Sequence, residues 1–538
     1  MESISNLSSR FKKLIDDLKI SSVFRSNYLK NDQLLNWILF LLILYGLFLK
    51  FKLSLLNELN SDFVSPGLVC REIFVHGNYF LKGYYFPFSD PYIFSDLIPF
   101  HILPQLLTRY DPKALILSSY FIYVAVIITY SVLIYNMTGK IRNSLIFASL
   151  LANIPNNTTF FFLQPVIHVG TILFIGILLL IHRQNIHGKL SAVFYLLVLA
   201  LISFSDSLLI LWYFIPFFVA HTLLNRPFKL RKMNFSFISG ITVLLVYLVK
   251  ESIQTFISYP INLITSKGLF FDNIFLFFKG ICLLYNNELY EFSNTYKLNI
   301  HVMIVIIITV GIMYFVFSNI SKTFNMNSVW WLFAFLSITF ISIIYVFTTI
   351  SVDITTTRYL TFPLILSISI LAMVYSQNMK LQRVYLFLLI SLIIINAGSN
   401  TELLKGRHEQ PNREQYELIN YLKESNLTLG YGDYWDSNII TYLSKEEIIV
   451  RPVLFTDAKI TPFRWLSCER WFTEQTKINE SVFIIQSNFQ NEEIENFVHE
   501  NPPKKILEFK NYKIYVYDVP KLKPVMNFEY NRTYALEI

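Results

Sequence analysis

Long apolar runs separated by short polar or charged stretches fill most of the first 400 positions, and within a run polar residues do not recur at a helical or a strand period. About 20 apolar residues cross a hydrocarbon layer of about 30 Å as a helix. This pattern predicts about eleven spanning helices, near 37–58, 114–135, 143–155, 166–182, 190–204, 207–224, 235–258, 298–318, 329–350, 359–376 and 383–398. After Asn400 the pattern changes. Alternating β-type runs occur at Thr428–Tyr431, Glu447–Arg451, Ser481–Ile485 and Tyr512–Tyr517, with helical patterns over Asn412–Ser425 and Asn491–Glu500. The expected organisation is a polar amphipathic segment (1–36), a polytopic α-helical membrane bundle (37–398) with a long first outer loop (60–113), and a soluble extracytoplasmic α/β domain (399–538).

Composition agrees. The chain is 54% hydrophobic and 15% charged with a mean hydropathy of +0.46, more apolar than a soluble average of roughly 45–50% apolar and 25% charged. The formal net charge of +8 is spread over alternate loops: Lys140 and Arg142, then Arg183 and Lys189, then Arg226 to Lys232, then Lys322, then Lys380 and Arg383. Positive charge in short loops marks the cytosolic side. A cytosolic N-terminus and an odd number of spans then put Asn60–Asp111, the longer loop Tyr259–Lys297, whose aromatics with Glu288 and Glu291 suit interfacial helices, and everything after Asn400 outside. Basic residues so placed meet anionic lipid, and no nucleic-acid partner is expected. Cys70, Cys282 and Cys468 show no CxxC or Cys/His spacing, and three unpaired thiols are expected. Phosphate-loop, dinucleotide and GxSxG motifs are absent from the sequence.

Chemistry-bearing side chains concentrate in Asn60–Asp111. Asp62 follows the first span at the membrane boundary and suits a general base; its structural alternative is an N-cap for a helix starting near Pro66. Glu72 and His76, four apart, share a helix face and suit acceptor binding or a surface ion pair. Asp90 is a candidate substrate or metal contact, whereas Asp96 reads as a cap. His168 and Asp206 sit at outer ends of spans, where ionisable groups usually face a cavity or a partner. Arg358 is the lone cation of a short outer loop. Its planar fork suits a phosphate, with an ion pair to Asp353 as the alternative.

A first span followed at once by an acidic residue in a long outer loop, many further spans and a soluble C-terminal domain on that side resembles the GT-C superfamily of membrane glycosyltransferases. Local likenesses are Asp62, the run Arg358-Tyr359-Leu360-Thr361-Phe362-Pro363, which is similar to the family's RYL-x-x-P element, Tyr431–Asn438, and Trp465–Trp471. The resemblance implies a polyprenyl-phosphate-linked sugar as donor and a glycan, lipid or protein as acceptor. It implies inverting transfer with Asp62 as base, Arg358 and Tyr359 at the donor phosphate, and Glu72, His76, Asp90, His168 and Asp206 toward substrate. Asp62 is followed by Phe63 and not by a second acid, and the second outer loop has no DxD, so a divalent metal stays open. The aromatics Tyr431, Tyr434, Trp435, Trp465 and Trp471 suit sugar stacking or a packed core. A transporter or flippase, or a non-catalytic lipid-binding assembly protein, are the alternatives; related halves with matching Gly or Pro breaks would favour the former.

Overall fold

In a computed structural model the described residues run from 31 to 518, apart from 88–90, 167, 184–188, 225–229, 254–255, 258–260, 324–327, 376–381, 407–409, 457–458, 474–480 and 488–491. Most of the expected segment 1–36, Asp90, Arg226, Lys229 and Lys380 therefore lie outside the described residues. The first half holds α1 (Asn31–Ser54), α2 (Ser61–Phe74), β1 (Tyr84–Pro87), α3 (Ile93–Leu107), α4 (Pro112–Thr138), α5 (Ile141–Ala152), α6 (Asn156–Leu163), α7 (Val169–Arg183), α8 (Lys189–Ser205), α9 (Ile210–Leu224) and α10 (Leu230–Ser252). Then come β2 (Phe256–Ile257), α11 (Lys267–Tyr285), α12 (Asn287–Thr295), α13 (Ile300–Thr323), α14 (Val329–Phe347), a 3₁₀ turn at Ile354–Leu360 leading into α15 (Thr361–Val374), and α16 (Gln382–Gly406).

Local rules account for many of these boundaries. The Asp111 carboxylate accepts from the Lys113 N–H at 2.8 Å and Pro112 takes the first helical position, which starts α4; Gly139, at φ +66°, ends it in the left-handed conformation. Seven helices among the described residues are long and apolar enough to cross a membrane: Gln33–Ser54, Pro112–Thr138, Lys267–Tyr285, Ile300–Ser318, Val329–Phe347, Ile354–Val374 and Gln382–Lys405. This is a helical membrane protein by that criterion. The count differs from the expected eleven in three ways, the first being that the run near 235–258, which falls largely in α10, is not among the seven. The runs near 143–155, 166–182, 190–204 and 207–224 form helices of only 10–17 residues. Each residue of α5 from Asn143 to Ala152 is buried, so its apolar character serves packing inside the bundle. Conversely, 259–297, expected as an outer loop carrying interfacial helices, contains α11, which is long and apolar enough to cross a membrane and whose Asn273 amide donates to the Tyr345, Val346 and Thr348 carbonyls at the end of α14.

The remainder is α17 (Arg413–Glu424), β3 (Leu429–Gly432), α18 (Tyr434–Leu443), β4 (Ile449–Thr456), β5 (Lys459–Pro462), β6 (Ser467–Cys468), β7 (Ser481–Ser487), α19 (Glu492–Glu500), β8 (Lys505–Phe509) and β9 (Tyr512–Asp518). A six-stranded sheet runs β5-β4-β3-β7-β9-β8, parallel across β4, β3 and β7 and antiparallel elsewhere. A second sheet, β2-β1-β6, stitches the segment after α2 to the C-terminal part.

One apolar core fills the helix bundle, and another joins α2, β1 and α3 to the C-terminal sheet and α18. Contact between α2 and α18 is close, since a methyl at Gly67 would run into the Tyr442 ring. Buried charges tie the same two regions. Glu72, 1% exposed, accepts from Arg470 Nη2 at 2.6 Å and from the Trp471 indole at 2.5 Å, and Arg71 pairs with Glu446 at 2.8 Å. The three cysteines are free thiols, with Cys70 and Cys468 each pushed up to about 12 by burial.

Candidate active site

Asp62 lies in the first turn of α2, but it is not the cap. Asn60 caps the helix, its side chain accepting from the Phe63 N–H at 3.0 Å, which leaves the Asp62 carboxylate directed elsewhere. Its Oδ1 accepts a hydrogen bond of 2.5 Å from the Tyr434 hydroxyl, so α18 orients it from the C-terminal side. Pro66 lacks an N–H and offers nothing to the Asp62 carbonyl one turn back, and it forms part of the same wall.

That wall bounds a cleft of about 680 Å³ lined by Asp62, Ser65, Phe86, Tyr92, Arg358 and Trp465 among others. Arg358 enters from the 3₁₀ turn between α14 and α15. Its guanidinium lies 5.2 Å from the Tyr359 ring centre, and Nη2 donates to the Tyr359 hydroxyl at 3.3 Å. The Asp353 carboxylate starts that turn, accepting from the Thr355 N–H at 2.8 Å and hydroxyl at 2.6 Å. A carboxylate and a guanidinium thus face one half-enclosed space whose remaining lining is largely aromatic and apolar. Such a pair can accept a proton at one end and hold an anion at the other.

Behind the cleft sits a buried polar chain. The Asp206 carboxylate accepts from His168 Nδ1 at 2.8 Å, from the Thr171 hydroxyl at 2.6 Å and from the Leu208 N–H at 2.9 Å. The Tyr92 hydroxyl lies 3.3 Å from both His168 Nδ1 and Nε2, and Tyr92 lines the cleft. Three non-glycine residues here, Tyr92, Val166 and His168, hold φ between 54° and 55°, a left-handed backbone that packing must enforce. Asp96 does not cap its own helix. It accepts from the Gly170 N–H at 3.3 Å at the start of α7 and from the Ser95 hydroxyl at 2.5 Å.

The expected site residues therefore divide. Asp62 and Arg358 share the cleft, with Tyr359 beside the guanidinium; His168 and Asp206 pair with each other one layer behind it. Glu72 and His76 do not meet: Glu72 is bound to Arg470 and Trp471, and the His76 ring bonds Glu446 at 3.2 Å. A scan against protein-family models finds no match for the chain, and a search of the curated proteins finds none either. Among the described residues, no three His, Cys, Asp or Glu side chains gather as a metal cage, and the carboxylate in the described part of the cleft lining is that of Asp62. Sequence reasoning missed Tyr92 altogether, and its left-handed backbone has no Gly or Asn to signal it. Tyr434 was singled out only as an aromatic, although its hydroxyl is what reaches Asp62.

Proposed function

We propose that the protein is a membrane glycosyltransferase of GT-C type that moves a sugar from a polyprenyl-phosphate carrier to an acceptor hydroxyl. The observation that carries this reading is the lining of one cleft by Asp62 and Arg358, from helices at opposite ends of the bundle sequence. In the reaction, Asp62 takes the hydroxyl proton as the acceptor oxygen attacks the anomeric carbon. The bond from that carbon to the phosphate oxygen breaks, the configuration inverts, and the lipid phosphate leaves with its charge held by Arg358. Tyr359 positions the guanidinium, and the Asp206–His168–Tyr92 chain fixes a hydroxyl on the cleft wall. A membrane orientation follows from the alternate basic loops: N-terminus in the cytosol, cleft and C-terminal sheet outside.

Incubating the purified protein with radiolabelled polyprenyl-phosphate sugars and candidate acceptors tests the activity. Asp62→Asn should remain folded and bind the carrier but lose nearly all transfer, because an amide cannot take the proton. Near-normal turnover in that variant would remove Asp62 from the mechanism.

A further inference from the structure

A second, larger and half-open cavity backs onto the cleft. The two share a partition. The Phe160 ring, on the cavity side, meets the Phe63 ring of the cleft edge-on at 5.9 Å; Gln164 lines the cavity and Val166 the cleft; Thr355 lies on the same 3₁₀ turn as Arg358.

The lining decides what the cavity can take. Five carboxamides, Asn57, Asn156, Asn157, Gln164 and Gln410, line it; among the described residues of the lining Glu58 is the single carboxylate and there is neither Lys nor Arg. Lys50 donates to the Thr159 hydroxyl from behind the wall, but it is fully buried and also bound to the Ile154 carbonyl. A phosphate or other anion would find no guanidinium or ammonium in that lining to hold it. Each amide offers both donors and an acceptor, which matches hydroxyl groups that do the same. Gln164 is 3% exposed, and among the described residues its Oε1 has no hydrogen-bond partner. A buried acceptor left unmade is costly, so a ligand hydroxyl that reached it would be favoured. Aromatic faces on Phe160, Phe161 and Tyr290 suit the apolar side of sugar rings. All of the lining comes from helices and loops, so no sheet edge is offered to an extended peptide.

We infer that this cavity binds a neutral carbohydrate chain, which under the function proposed above, on which the assignment of a role rests, is the acceptor. The test is binding without donor. The purified full chain in lipid nanodiscs is applied to an array of neutral oligosaccharides, with anionic glycans and unglycosylated peptides as comparison arms. Neutral oligosaccharides should bind, and Gln164→Leu should weaken that binding by about tenfold or more, since a site built to receive a hydroxyl loses the group that receives it. Gln410→Ala, at an exposed loop position, should weaken it too and decides the matter if Gln164→Leu does not fold. Capture of anionic glycans or peptides alone, no capture of any neutral glycan, or capture indifferent to both amide changes overturns the inference. Because no donor enters this measurement, a failure of the transfer assay leaves neutral-glycan binding standing. A failed array with transfer intact removes the neutral-glycan assignment alone.

Discussion

Arg358 carries its charge on a short turn beside a cleft that also holds Asp62, and its neighbours separate structural from catalytic use of that charge. Asp353, the acid nearest in sequence, is engaged at the start of the 3₁₀ turn by the Thr355 N–H and hydroxyl. A guanidinium serving a departing phosphate contributes mainly to rate, whereas one serving a structural ion pair contributes mainly to stability. Arg358→Ala should therefore cut turnover with a lipid-phosphate donor by about tenfold or more. Arg358→Lys should recover part of it, because an ammonium lacks the two-pronged geometry. Asp353→Ala should be much milder, its cost being that of a lost cap. Equal destabilisation by the Asp353 and Arg358 alanine variants, with donor binding unchanged in both, would show the charge to be structural. Turnover, donor binding and thermal midpoint measured on the same preparations distinguish these outcomes.

At the scale of elements, the packing of α2 against α18 fixes the cleft, because Asp62 stands on one helix and Tyr434 on the other. Gly67 lets them approach, and the Arg71–Glu446–His76 group holds the far end of α2 to the turn after α18. Burial pushes the Glu446 carboxyl up, but the bonds from His76 and Arg71 outweigh it and hold the group at about 2, below the ordinary 4.5. A carboxyl depressed in the folded state adds stability that is complete above its unfolded value and is lost as pH falls toward the folded one. That contribution should be full at neutral pH and fade between pH 4.5 and about 2. Glu446→Gln should cost about 1–3 kcal/mol at pH 7, as expected for hydrogen bonds to charged groups. Its deficit should shrink by more than half at pH 3. Thermal unfolding of both proteins across that range checks this, and a deficit of constant size would mean that the charge on Glu446 is unimportant. The elements themselves were unevenly legible. The α4 boundaries were written in Asp111-Pro112 and Gly139, and the four alternating runs of the tail are strands β3, β4, β7 and β9. By contrast, α18 was not foreseen, because Tyr434–Leu443 is capped by Asp433 within a stretch that reads as an aromatic motif.

For the whole molecule, the segment that follows α1 and the C-terminal sheet share one apolar core, and the proposed orientation puts both outside. With the native cysteines replaced, a cysteine at Lys405, exposed near the end of α16, should react with an impermeant reagent from outside, and one at Lys229 should not. The reverse pattern would invert the proposed orientation. The sequence by itself determined that the chain is a helical membrane protein with a strand-containing tail, because hydropathy and period are local properties that each run carries wherever it sits. It could not tell a span from a short apolar helix such as α5, since lipid and a packed bundle ask for the same side chains. Nor could it pair Asp62 with Tyr434, His168 with Asp206 or Glu72 with Arg470. Those partners are far apart along the chain, and no local pattern records which distant side chain a carboxylate meets; only the tertiary packing of the helices and sheets that carry them decides it.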